Sequence, residues 1–88
     1  MKKKLENIYG HCDYCICFDE DCSMIYNLYI EKDFRRKGHA KEFINEAIED
    51  IRNLGYKGYI KVVAEPEEES ISKENLIKFY EEMGLKVI

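Results

Sequence analysis

Ala40-Lys41-Glu42-Phe43-Ile44-Asn45-Glu46-Ala47-Ile48-Glu49-Asp50-Ile51-Arg52-Asn53-Leu54-Gly55 carries the strongest periodic signal in the chain. Ala40, Phe43, Ile44, Ala47, Ile48, Ile51 and Leu54 recur at spacings of three and four, one face of an α-helix of about four turns. Gly55 predicts its end, because a left-handed terminal residue costs glycine little. Working outward, residues 12–18 and 24–32 are rich in Tyr, Ile, Cys and Phe and read as strands. The polar Asp19-Glu20-Asp21 between them predicts an antiparallel hairpin. Residues 5–10 read as a short edge strand. After the helix, Gly58-Tyr59-Ile60-Lys61-Val62-Val63-Ala64 is β-branched and apolar, and Pro66, with no N–H to donate, ends it. Ser72 predicts the cap of a second helix with Leu76, Ile77, Tyr80 and Met83 on one face and Gly84 past its end. Leu85-Lys86-Val87-Ile88 reads as a last strand. The strands flanking the long helix are then parallel neighbours joined by a right-handed crossover. The predicted fold class is α+β: a mixed β-sheet in which an antiparallel hairpin feeds a βαβ crossover, one domain over residues 1–88.

The composition sets limits on function. The 88 residues, 45% hydrophobic and 36% charged, suit a small globular domain that buries roughly 60% of its unfolded surface. No apolar run approaches the ~20 residues that a bilayer requires. Lys2, Lys3 and Lys4 imitate the start of a signal peptide, but Leu5-Glu6-Asn7 follows where an apolar stretch is needed, so the expected location is the cytoplasm. A net charge of −4 argues against nucleic acid as a partner, since such binding leans on cationic surface. The acidic Glu67-Glu68-Glu69 reads as a solvated loop, with an acidic lip for a cationic amine as the alternative.

Cys12, Cys15, Cys17 and Cys22 fall within one short window, with no second pair or His cluster downstream to complete a zinc site. On a strand, Cys12 and Cys15 point to opposite faces and cannot share a metal. The expectation is no metal, and small thiols filling a core.

The chemistry lies in the junction Ile30-Glu31-Lys32-Asp33-Phe34-Arg35-Arg36-Lys37-Gly38-His39-Ala40, where a strand opens directly into the long helix. The first helical N–H groups have no intrahelical acceptor, and that helix end carries about half a positive charge. Gly38 and Ala40 keep the backbone bare, and Arg35, Arg36 and Lys37 add attraction for an anion. These features point to a phosphate or diphosphate site. The glycine spacing of a Walker loop or a dinucleotide fingerprint is absent. His39 is expected exposed or beside the ligand, and His11 gives no signal.

Arg35-x-x-Gly38-x-Ala40, preceded by Leu28-x-Ile30, resembles the acetyl-coenzyme A loop of the GNAT superfamily of N-acetyltransferases, Arg/Gln-x-x-Gly-x-Gly/Ala. Phe79-Tyr80-Glu81-Glu82-Met83-Gly84-Leu85 resembles the family's later Leu/Phe-Tyr-x-x-x-Gly-Phe block, in the right order. The short layout is similar to that of minimal, phage-type members, anti-CRISPR acetyltransferases among them. The resemblance implies acetyl-CoA as cosubstrate. The amides of Arg36, Lys37, Gly38, His39 and Ala40 would hold its diphosphate, with the Arg35, Arg36 and Lys37 side chains near the phosphates. The main chain of Leu28, Tyr29 and Ile30 would pair with the pantetheine arm, and Tyr80 would protonate the departing thiolate. A phenol with an ordinary pKa near ~10 holds its proton at neutral pH.

The sequence departs from the family pattern in places. The family's usual N-terminal strand and two helices are nearly absent, and little follows Leu85. Ser23-Met24-Ile25-Tyr26-Asn27 lacks the carboxylate that many members carry there, which leaves Glu65, Glu31 or a water relay to take the amine's proton. Lys73 stands where an asparagine is common, with Asn75 two places away. The expected function is acetyl transfer to a primary amine, preferably a protein lysine. The alternatives are a small-molecule amine acceptor or a catalytically idle coenzyme A-binding module. An open edge at the last strand predicts a homodimer.

Overall fold

The computed structural model describes residues 1–20, 22–64 and 72–88. Asp21 of the expected hairpin turn, Glu65 and Pro66, the acidic Glu67-Glu68-Glu69, and Ser70 and Ile71 lie outside the described residues. The elements run β1 (Lys2–Asn7), β2 (Gly10–Cys17), β3 (Cys22–Ile30), a 3-10 turn (Lys32–Phe34), α1 (His39–Asn53), β4 (Ile60–Val62), α2 (Lys73–Glu82) and β5 (Lys86–Val87). They form one sheet in the order β1-β2-β3-β4-β5. β1, β2 and β3 pair antiparallel, and β3, β4 and β5 pair parallel. The fold is α+β, a mixed sheet with its hairpin and its β3–α1–β4 crossover.

Several boundaries depart from the sequence reading: β2 and β3 each begin two residues earlier than expected, at Gly10 and Cys22, and β3 ends at Ile30. The edge strand begins at Lys2, so the lysines expected to precede it lie within it, paired with Asp13, Tyr14 and Cys15 of β2. Lysines suit an edge, where their charge discourages further strand pairing, and Lys3 lies 2.7 Å from Asp50 of α1. β4 is also shorter than its apolar run, and it pairs with β3 only at Ser23, Met24 and Ile25.

The sheet is packed on one face. Cys12, Tyr14 and Ile16 of β2, Ser23 and Ile25 of β3, and Ile60 and Val62 of β4 alternate inward and are buried. Against them lie Phe43, Ile44, Ala47 and Ile51, the periodic stripe of α1, while Tyr80 and Leu85 close the core from α2 and its end. Both helices stop in the same way. Tyr56 and Gly55 donate back to Ile51 and Arg52, and Leu85 and Gly84 donate to Tyr80 and Glu81, which satisfies carbonyls the helix leaves unpaired. At the start of α2, the Ser72 hydroxyl accepts from the Asn75 amide at 3.1 Å, as its position predicts.

The thiols divide unevenly. All four are free, and Cys12 is in the core on the face opposite Cys15. Cys15, Cys17 and Cys22 sit half-buried on the sheet's other face, so thiols as core filling holds for Cys12 alone. Strand alternation assigns Cys15 and Cys17 outward once Cys12 faces in. Among the described residues, no group of three or more His, Cys, Asp or Glu side chains is placed to hold a metal ion, and no helix is long and apolar enough to cross a membrane.

Candidate functional site

A β-bulge in β3 sets up the site. Asp13 pairs with Asn27 and Tyr14 with Ile25, so Tyr26 is the extra residue on its strand and has no partner on β2. The inserted residue shifts the alternation. Ser23 and Ile25 face the core before it, and Ile30, with Leu28 packed against the cluster, faces the core after it. β4 leaves β3 at this point, because their ladder ends at Ile25–Val62. Among the described residues, no strand pairs with Leu28, Tyr29 and Ile30 on the β4 side. Their main chain is available to an extended ligand as the next strand would be.

β3 runs from that open edge into the 3-10 turn, and Arg35 then returns to extended backbone (φ −72°, ψ 155°). Arg36 has φ 64° and Gly38 has φ 88°, so two of three consecutive positions are left-handed. Such a backbone is costly for arginine, and strain of this kind gathers at binding loops. Gly38 is the N-cap of α1 and has no side chain to cap it. A Cβ placed there would meet nothing within 4 Å, so open space lies over the first amides of α1. These residues fit a diphosphate: N–H donors, a positive helix end and room above them. Ala40 follows in the first turn, half-buried against the core.

The cations are not equivalent. Arg35 donates from Nε to the Ile30 carbonyl at 2.9 Å, and its guanidinium lies 5.5 Å from the Tyr29 ring centroid. It therefore ties the end of β3 to the loop. Lys37 is exposed, its Nζ 6.0 Å from the Phe34 ring centroid. Of the two places expected for His39, exposed or beside the ligand, the structure rules out the first. Its ring stacks on Tyr9 at 3.7 Å, and its side chain is only 15% exposed. Its Nδ1 is buried without a hydrogen-bond partner among the described residues. Tyr9 also lies edge-on to Phe34 at 4.9 Å and accepts from the Glu31 amide at 2.7 Å. The β1–β2 turn thus braces the loop from below.

The loop, the open edge and the later Tyr-x-x-x-Gly helix end now stand in one framework, and the acetyltransferase (GNAT) family profile matches residues 2–85. The chain belongs to the GNAT family. A search of curated proteins finds no match.

The second GNAT block acquires a physical reason. Gly84 provides the left-handed helix end, and Leu85 turns back into the core beside Tyr80. Tyr80 itself is 5% exposed, its ring 5.5 Å from that of Phe79. Packing against the core holds the Tyr80 ring. Tyr9 and the bulge at Tyr26 escape sequence reading. Tyr9 lies 30 residues from His39 in the chain, and a bulge leaves no local mark beyond a change of parity in an already apolar strand.

A depression of about 380 Å³ lies elsewhere, between β1 and the C-terminal half of α1. There Tyr14 donates to Asp50 Oδ2 at 2.6 Å, and Lys3 holds the same carboxylate. Those contacts, led by Lys3, hold the Asp50 carboxyl below its ordinary range, while burial and then the Asp50 bond push the Tyr14 phenol up. The polar groups satisfy one another, so this cluster pins β1 to α1 and has no donor or acceptor pattern that suits a diphosphate.

Proposed function

We propose that this protein is an acetyl-CoA-dependent N-acetyltransferase acting on a primary amine, with a protein lysine as the preferred acceptor. The observation that carries the reading is the continuous path from the bulge-freed edge of Leu28, Tyr29 and Ile30 to the left-handed Gly38 at the start of α1. An extended pantetheine arm would pair along the first part. The diphosphate would meet the amides of Arg36 to Ala40 at its end, with Arg36 and Lys37 adding attraction. Transfer is direct: the amine loses a proton to a base, its nitrogen bonds to the thioester carbonyl carbon, the C–S bond breaks, Tyr80 donates a proton to the departing sulfur, and the proton shed as the amide forms passes to solvent. No covalent enzyme intermediate is required, so none of the thiols is given a role as nucleophile.

The proposed setting is the cytoplasm, without membrane or nucleic acid. β5 is an edge strand of two residues, and pairing it across a two-fold axis gives the proposed homodimer. One observation favours a second reading, an idle coenzyme A-binding module: the burial of Tyr80 among core side chains. Intact-mass analysis of lysine peptides, proteins and small amines incubated with acetyl-CoA decides between them. A mass gain of one acetyl group on a lysine acceptor supports transfer. Calorimetric binding of acetyl-CoA with no acetylated product on any acceptor supports the module.

A further inference from the structure

Resting on the acetyl-transfer reading, we propose that the acceptor amine is received on the uncovered face of the sheet at the bulge, between Asp13 and His11. The packing leaves one approach. The inward face of β2 and β3 is filled by Cys12, Ile25, Leu28 and the stripe of α1, so a second substrate cannot reach the bulge from that side. The described residues place no helix over the outward face, where His11, Asp13 and Tyr29 are half-buried and Asn27 is exposed.

On that face two acceptor atoms converge on a single nitrogen. Asn27 donates from Nδ2 to Asp13 Oδ2 at 2.9 Å, and the same Nδ2 lies 3.3 Å from His11 Nε2. With the ring proton on Nδ1, Nε2 accepts the second amide hydrogen. The protein's own amide thus occupies a position that binds an N–H-bearing nitrogen, one residue beyond the bulge that opens the β3 edge. Because Asn27 is exposed, its amide can swing outward and an acceptor amine can take the place between Asp13 and His11. Asp13 then holds the ammonium. With its ring proton on Nδ1, His11 carries a free lone pair on Nε2, which takes the proton that the ammonium gives up. The freed lone pair forms the N–C bond to the thioester carbonyl, and the sulfur leaves with the C–S electron pair, protonated by Tyr80; the second amine proton, lost as the amide forms, passes through solvent and restores the Tyr80 phenol. This places the base on the strand next to β3, in a chain whose β3 carries no carboxylate.

The surrounding charges are mixed. Lys4 is the cross-strand partner of Asp13, Glu6 that of His11, and the Arg35 guanidinium lies over Tyr29. The test is steady-state acetylation of a lysine peptide by the whole chain, with Asp13→Asn and His11→Gln beside the wild type and acetyl-CoA affinity measured by calorimetry. Asp13→Asn is expected to raise the KM for the peptide about tenfold, the loss of one charge-assisted contact, with kcat little changed. His11→Gln is expected to lower kcat on the order of 10²-fold, with the deficit shrinking between pH 7 and 9 as more of the amine arrives neutral. Both variants should keep acetyl-CoA affinity within about twofold. If either fails to fold, Asn27→Ala removes the internal competitor and should lower the peptide KM. Unchanged kcat and KM in the folded variants, with acetyl-CoA bound normally, overturn this site and leave the acetyl-transfer reading standing. A wild type that binds no acetyl-CoA overturns both.

Discussion

Replacing Gly38 by alanine separates the cost of a strained backbone from the loss of a ligand contact, because the same helix carries a matched control. Gly38 at the start of α1 has φ 88°, and Gly55 beyond its end has φ 97°. A Cβ at either position meets nothing within 4 Å, so neither substitution creates a clash. What remains is the penalty for an L-residue in the left-handed region, roughly 1–2 kcal/mol, partly offset by a less flexible unfolded chain. Each variant should therefore lose about 1 kcal/mol, which lowers the Tm of a domain this size by roughly 4–8 °C. Binding should divide them. A diphosphate oxygen must come within about 2.9 Å of an amide nitrogen, and the Gly38→Ala methyl group occupies the space it would use. Gly38→Ala should weaken coenzyme A at least about tenfold, equivalent to ~1.4 kcal/mol, whereas Gly55→Ala should bind as the wild type does. Thermal melts by circular dichroism and calorimetric titration of the three proteins give both quantities. Equal affinity in all three refutes the placement of the diphosphate over the first turn of α1. Equal weakening in both variants refutes it too, because the effect would then be general.

Other outcomes follow from the same geometry. Tyr80→Phe should slow turnover while leaving acetyl-CoA affinity nearly unchanged; undiminished kcat removes Tyr80 as the proton donor. Ser72→Ala deletes the acceptor for the Asn75 amide and should cost about 0.5–2 kcal/mol in a urea melt. Burial, with Asp13 and Glu46 adding to it, pushes the Cys12 thiol up to about 12, and Tyr14 is raised as well. The Cys12 contribution to stability is complete below pH 9 and falls as pH rises from there toward 12, because the unfolded thiol ionises first; that of Tyr14 begins to fall only above pH 10. The Cys12 share has a slope of about 1.4 kcal/mol per pH unit, so Cys12→Ala should flatten the alkaline decline in urea midpoint between pH 9 and 11. Asp50 is shifted the other way, so its contribution is present above its ordinary range near pH 3.8 and is lost as pH falls; Asp50→Asn should flatten the acid limb.

The arginine-rich junction illustrates how far a linear pattern reaches. Three adjacent cations predict attraction for an anion but not what each side chain touches: Arg35 donates from its Nε to the Ile30 carbonyl and lies over Tyr29. Charge order along a chain does not encode side-chain direction, which the 3-10 turn and the left-handed Arg36 establish. His39 shows the same limit. Its place in the first helical turn allows it to be exposed or beside a ligand, and only the distant β1–β2 turn, which brings Tyr9 against its ring, decides against exposure.

The apolar periodicity of residues 40–54, the Ser72 cap and the closing glycines were enough to establish the helices and the parallel crossover. Those features are local, arising from helix pitch, cap chemistry and backbone sterics within a few residues. The break in β3–β4 pairing, the support of the loop by Tyr9, and the convergence of Asp13 and His11 on Asn27 depend on strand register. A one-residue bulge in an apolar strand changes which face every later side chain occupies, and only pairing with β2 and β4 reveals where it falls.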